Sequence, residues 1–153
     1  MASIFNIDFQ EFIQCLNDQK VKYVLVGGYS VILYGYNRTT GDLDIWVEKT
    51  KSNYKKLEKA FDQFQMPVFD MTLENFMNSS KFDVFTFGNS PVAIDIMTDV
   101  KGLDFESSSN QAQKFVIDDV EINVIQFQHL IEAKKASGRP KDQDDIDHLM
   151  DKE

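Results

Sequence analysis

The sequence predicts an α/β protein of the α+β kind, a mixed β-sheet with helices packed on it. Three observations predict it. Residues 24–47 read as strand, glycine turn, short helix, polar loop and second strand. Two later pairs of apolar, β-rich segments, 82–87 with 92–97 and 115–117 with 120–125, read as hairpins. Around them, apolar residues recur at the three-and-four spacing of helices that bury one face.

The elements follow in order. Residues 8–19 predict a helix, with Asp8 as N-cap, Glu11 three residues on, and Ile7 stapled onto Phe12. Phe9, Phe12, Ile13 and Leu16 would form its buried face. After the 24–47 unit, Ser52 is placed to cap a third helix whose buried stripe is Tyr54, Leu57, Phe61 and Phe64. Its opposite face, Lys55, Lys56 and Lys59, reads as solvated. Residues 67–80 mix apolar and polar residues without a clean period, and a short helix around 73–77 is one reading of them. The first hairpin would turn at Gly88-Asn89-Ser90-Pro91, with proline at a strand entry. Residues 102–113, rich in Ser and Gln, read as a loop or a weak helix, and the second hairpin would turn at Asp118-Asp119. A helix over 127–137 ends at Gly138, and Pro140 opens a last helix at a permitted first-turn position.

Bulk properties bound the function. At 153 residues and 42% apolar content, the chain suits one domain over 1–153, with a core over about 20–125 and C-terminal helices over about 126–151. No apolar run approaches a membrane span, so no membrane partner is expected. The N-terminus has no basic region followed by an apolar stretch, so the expected compartment is the cytoplasm. Cys15 stands alone and cannot form an internal disulfide. A formal charge of −9 argues against binding DNA through bulk charge, while leaving room for an RNA acceptor on a local basic patch.

The chemistry concentrates in the 24–47 unit. Gly27 and Gly28 let the backbone approach a bulky anion. The helix that follows points N–H groups and its positive dipole end at the turn, which suits phosphate, and Ser30 can add a hydroxyl. Asp42 and Asp44, two apart on a strand, would present both carboxylates to one side, with Leu43, Ile45 and Val47 facing the core. Paired carboxylates need a cation or a proton between them, and hard oxygen ligands suit magnesium. The plain alternatives are a turn and a solvated strand face.

The order Gly27-Gly28, thirteen residues (29 to 41), then Asp42-Leu43-Asp44 resembles the signature of the nucleotidyltransferase superfamily with the DNA polymerase β-like fold. The loop Arg38-x-Thr40-x-Asp42-Leu43-Asp44 is similar to that of small bacterial members, including antibiotic nucleotidyltransferases and toxin-type enzymes. Such a resemblance implies a third carboxylate between apolar strand residues, and Ile94-Asp95-Ile96 supplies one. A strand-end aspartate that reaches water, or a lysine partner, would look the same. Lys134, Gly138, Arg139, Pro140, Lys141, Asp142 and Asp145 match a basic C-terminal segment of such proteins. Lys134 and Arg139 could neutralise nucleotide phosphates, or Arg139 could pair with Asp142 or Asp145 and lock two helices together. His129 and His148 share no helix face at ligand spacing and read as structural.

The implied activity is metal-dependent transfer of a nucleoside monophosphate from an NTP to an acceptor. Asp42, Asp44 and Asp95 would hold magnesium or manganese and carry catalysis. Gly27, Gly28, Ser30, Arg38, Thr40, Lys134 and Arg139 would bind the nucleotide. The acceptor is open between an antibiotic or other small molecule, tRNA and protein. So is the partner, a second copy of the chain or a cognate protein of a toxin–antitoxin pair. A non-catalytic nucleotide-binding or antitoxin-like protein could keep the same fold, though the loss of a carboxylate would be its usual mark. A metal-dependent glycosyltransferase can also use Asp-x-Asp but has no need of the glycine turn.

Overall fold

A computed structural model describes residues 6–78, 82–89 and 92–151. These form a six-stranded mixed sheet in the order β3-β4-β2-β1-β6-β5, with helices on both faces. The strands are β1 (Tyr23–Val26), β2 (Leu43–Val47), β3 (Val84–Asn89), β4 (Val92–Met97), β5 (Gln113–Ile117) and β6 (Val120–Val124). The helices are α1 (Ile7–Asp18), α2 (Gly27–Leu33), α3 (Lys51–Phe64), α4 (Leu73–Met77), α5 (Phe105–Asn110), α6 (Phe127–Ser137) and α7 (Pro140–Met150). Among the described residues no helix is long and apolar enough to cross a membrane.

Register explains how the sheet separates a packed face from a polar one. β2 runs antiparallel to β1 and parallel to β4, and β4 runs antiparallel to β3. Leu43, Ile94 and Phe87 align across three strands, as do Ile45, Ile96 and Phe85. Because alternate strand residues share a face, these six apolar side chains line one side of the sheet. Helices α1 and α3 cover that side. Phe61 packs edge-on against Phe87, and Phe12 meets both Phe61 and Phe64 edge-on. The opposite side carries Asp44, Asp95 and Thr86 in one row, with Trp46, Met97 and Val84 in the next. Phe105 of α5 stands edge-on to Trp46 and closes the lower part of that side.

Several element ends differ from the sequence reading. Asn6 rather than Asp8 caps α1, its side chain accepting from the Phe9 N–H at 2.8 Å. Ile7 is 69% exposed and makes no staple onto Phe12. Thr50 rather than Ser52 caps α3. Both caps sit two residues upstream of the predicted ones, a shift that the apolar pattern alone does not resolve. Helix α2 begins at the glycines themselves, with Gly27 in the left-handed region at φ 71°. The Asp118-Asp119 turn has positive φ at both positions, as a tight hairpin between twisted strands requires. Of the first hairpin's turn, Ser90 and Pro91 lie outside the described residues.

Candidate active site

With Thr86 paired to Asp95 on the next strand, Asp44 and Asp95 lie on the floor of a cleft of about 650 Å³. Its walls are the Gly27–Gly28 turn, the loop from Arg38 to Asp42, and side chains of α6 and the start of α7, including Lys134, Arg139 and Lys141. Four elements therefore meet at one place, and each does so for a local reason.

Asp44 is held tightly. It lies opposite Val26 of β1 and beside Asp95 of β4. A Cβ on Gly27 would overlap the Asp44 carboxylate, and one on Gly28 would overlap the Thr40 hydroxyl, with the Arg38 guanidinium 3.3 Å away. The two glycines are thus needed because side chains of the following loop and strand close over them. Burial pushes the Asp44 carboxyl up to about 7. The Asp95 charge, a hydrogen bond with Asp95 and the Asp42 charge add to this, and Lys134 opposes it. A second carboxylate on the neighbouring strand disfavours a charge on Asp44 unless a cation or a proton offsets it. Asp95 also accepts from the Thr86 hydroxyl at 2.7 Å.

Asp42 departs from expectation. It precedes β2 rather than belonging to it, and one of its oxygens accepts from the Ala93 N–H at 3.2 Å. Among the described residues no group of three carboxylate, imidazole or thiol side chains is set to hold a metal ion. The Asp44–Asp95 pair still has the chemistry for one: two hard oxygen donors on adjacent strands, Asp44 desolvated by burial, both lining the same cleft.

Ser30 also departs from expectation. It is fully buried, and its hydroxyl donates to the Gly27 carbonyl at 2.6 Å, so it braces the first turn of α2 from inside and does not reach the cleft.

The basic side chains are largely engaged. Lys134, 8% exposed, lies 3.0 Å from Asp145 and 3.4 Å from Asp142. Arg38 reaches Asp145 through Nε at 2.9 Å and through Nη2 at 3.1 Å. Arg139 grips Asp142 with two nitrogens, at 2.8 and 3.0 Å, while its side chain stays 63% exposed. Burial alone would raise the Asp142 carboxyl, but Arg139, Ser137 and Lys134 hold it well below the usual carboxylate range. The Arg139–Asp142 pair caps the first turn of α7 at the rim of the same cleft, while Lys134 makes the links from α6 to α7. His148 stacks on Tyr36 at 4.0 Å, and both contact Asp144. His129 takes no part in the cleft lining.

Three residues escaped the sequence reading as site residues. Thr86 could have been found only from the hairpin register. Asp142 and Asp145 were visible as part of a basic segment, but nothing in their spacing marked them as its buried centre.

Fold and cleft together define a nucleotidyltransferase-like protein. The chain belongs to a family described as nucleotidyl transferase of unknown function (DUF2204), which matches residues 6–152. Solved structures with a similar fold include a protein of Thermotoga maritima assigned as a nucleotidyltransferase. It is 15% identical, with a TM-score of 0.53, over 95% of this chain and 91% of that one. A lincosamide antibiotic adenylyltransferase with lincomycin bound is 14% identical, with a TM-score of 0.56, over 97% and 98%. An antigenic nucleotidyltransferase-like protein of Paracoccidioides brasiliensis is 13% identical, with a TM-score of 0.52, over 92% and 71%. At these identities the likeness is one of fold. A search of curated protein sequences gives no significant match.

Proposed function

We propose that this protein is a metal-dependent nucleotidyltransferase that moves a nucleoside monophosphate from an NTP to an acceptor hydroxyl. The observation that carries the reading is the Asp44–Asp95 pair. Two carboxylates sit side by side on adjacent parallel strands at the floor of a cleft whose walls bring a glycine turn and basic side chains, and the Asp44 carboxyl is pushed up by burial and by its neighbour. A structural ion pair would put opposite charges there. Like charges held together at a cost fit a site completed by a cation.

In this reading Asp44 and Asp95, with Asp42 beside them, would hold magnesium or manganese. When bound, the ion would offset charge on the phosphates and acidify the acceptor hydroxyl. Asp95, towards the open edge of the sheet, takes the acceptor's proton. The acceptor oxygen then bonds to the α-phosphorus as the bond from that phosphorus to the bridging oxygen breaks, and pyrophosphate leaves. Backbone N–H groups at Gly27 and Gly28 position the β- and γ-phosphates, with Thr40 closing over them. Arg38 and Lys134 offset the charge that builds on the leaving pyrophosphate, and Arg139 adds a rim charge.

The test is transfer of label. Purified protein, magnesium and each α-labelled NTP are incubated with lysate fractions and with small hydroxylated molecules, lincosamides among them. Label should pass to an acceptor, and both chelator and Asp95→Asn should abolish the transfer. The reading fails if no NTP donates label and calorimetry gives equal NTP affinity with magnesium and with chelator.

A further inference from the structure

Asp145 has no part in the chemistry just described, yet it is fully buried at the centre of the basic wall. Its two oxygens serve cations from distant parts of the chain. Oδ1 lies 2.9 Å from Arg38 Nε, and Oδ2 lies 3.1 Å from Arg38 Nη2 and 3.0 Å from Lys134 Nζ. We propose that Asp145 is a positioning residue that holds Arg38 and Lys134 side by side as a two-cation clamp for the nucleotide's triphosphate. The proposal rests on the nucleotidyltransferase reading above and adds a residue to it.

Arg38 sits in a loop between Gly35 and Gly41, outside any regular element, and Lys134 ends a long flexible stem on α6. Left alone, both would lose rotamer freedom on meeting a phosphate, and each would repel the other. A buried carboxylate between them removes both costs before the ligand arrives. Asp145 does not exhaust their donors. A guanidinium has five N–H groups and an ammonium three. Arg38 spends one more on the Thr39 carbonyl at 3.0 Å, and Lys134 makes its remaining contact with Asp142 at 3.4 Å. The formal count of the network, Arg38, Lys134 and Arg139 against Asp142 and Asp145, leaves it one positive charge. Its direction is also favourable: Arg38 lies against Gly28, and the Lys134 charge is felt at Asp44.

The alternative is that Asp145 only pins α7 to the loop, and the two roles predict effects of opposite sign. By charge alone, Asp145→Asn removes a negative group beside a phosphate site and should tighten NTP binding. The clamp predicts weaker binding, by about tenfold for the loss of a charge-assisted contact. Asp145→Glu, which retains the charge and guards against a variant that fails to fold, should also weaken binding, because one more methylene moves both cations. Calorimetry with magnesium and each NTP reads affinity. A second readout is the rate at which an amine-modifying reagent labels Lys134, with exposed Lys135 as the internal reference. Both variants should label Lys134 several times faster than the wild type. Binding of NTP at least as tight in both variants as in the wild type overturns the clamp, and so does an unchanged labelling ratio. Wild-type protein that binds no NTP overturns the nucleotidyltransferase reading instead, and with it the clamp's ligand.

Discussion

Two charged regions face each other across the cleft, and they are built on opposite principles. On the sheet, Asp44 and Asp95 are carboxylates on neighbouring strands, and burial together with the Asp95 charge pushes the Asp44 carboxyl up. On the helices and the loop, Lys134, Arg139 and Arg38 meet Asp142 and Asp145 in near-complete mutual neutralisation. The first region is incomplete without a proton or a cation. The second is neutralised within the chain to within one positive charge. The difference separates a place that waits for a ligand from the scaffold that holds groups ready for it, and it shows that burial of charge alone identifies neither.

The sharpest way to break the comparison is to remove one charge from each side. Asp142→Ala leaves buried Lys134 one partner short and should cost about 3–5 kcal/mol of stability, read by chemical denaturation. Asp44→Asn should cost none and should raise the melting temperature of the metal-free protein, because it relieves a repulsion. If both variants destabilise alike, the sheet carboxylates are as well satisfied as the helix pair and the contrast is lost.

Backbone changes give a smaller separation. Gly27→Ala forces a left-handed residue to carry a Cβ into the Asp44 carboxylate, and should cost about 1–3 kcal/mol together with most of the activity. Gly138 is also left-handed, at φ 67°, but a Cβ there meets nothing nearer than 3.7 Å. Gly138→Ala should therefore cost only the backbone strain, about 1 kcal/mol. Comparable losses in the two thermal melts would show that contact with Asp44 does not constrain Gly27.

The pH dependence sharpens the same point. The folded-state pKa of Asp44, about 7, lies above its ordinary value of 3.8, so the folded protein binds this proton more tightly than the unfolded chain does. The stability this group contributes is full below about pH 4 and is lost as pH rises through about 7. Melting curves of the metal-free protein should therefore show a fall over this window that Asp44→Asn abolishes. Magnesium should restore more stability above the window than below it. Equal magnesium effects at both ends would argue that the ion binds elsewhere.

The smallest effect concerns Ser30. With its hydroxyl spent on the Gly27 carbonyl, Ser30→Ala should cost about 1 kcal/mol. NTP affinity should stay within error. A marked loss of affinity with intact stability would return Ser30 to the phosphate site.

Much of this was legible before folding. The glycine pair, the Asp-Leu-Asp triplet and Ile94-Asp95-Ile96 are local patterns with a period of two or a tight turn, and local patterns survive translation into structure. The helix closed by Gly138 and the one opened by Pro140 were equally plain, because a left-handed end and a missing N–H have few other uses. Ser30 misled because a hydroxyl one turn into a helix can face its own backbone as easily as a ligand, and sequence does not distinguish the two.

The sequence by itself determined most of the elements, which faces are apolar and that Asp44 and Asp95 lie on strands, since propensity and periodicity act over a few residues. Only the tertiary structure decided that Asp44 lies beside Asp95, that Thr86 completes their row, and that Asp145 joins Arg38 to Lys134. Those pairings depend on strand register and helix docking, and two of them, Asp44 with Asp95 and Arg38 with Asp145, join distant parts of the chain. On the far side of the sheet, Phe12, Phe61 and Phe87 pack edge-on and support the strand register without any charge.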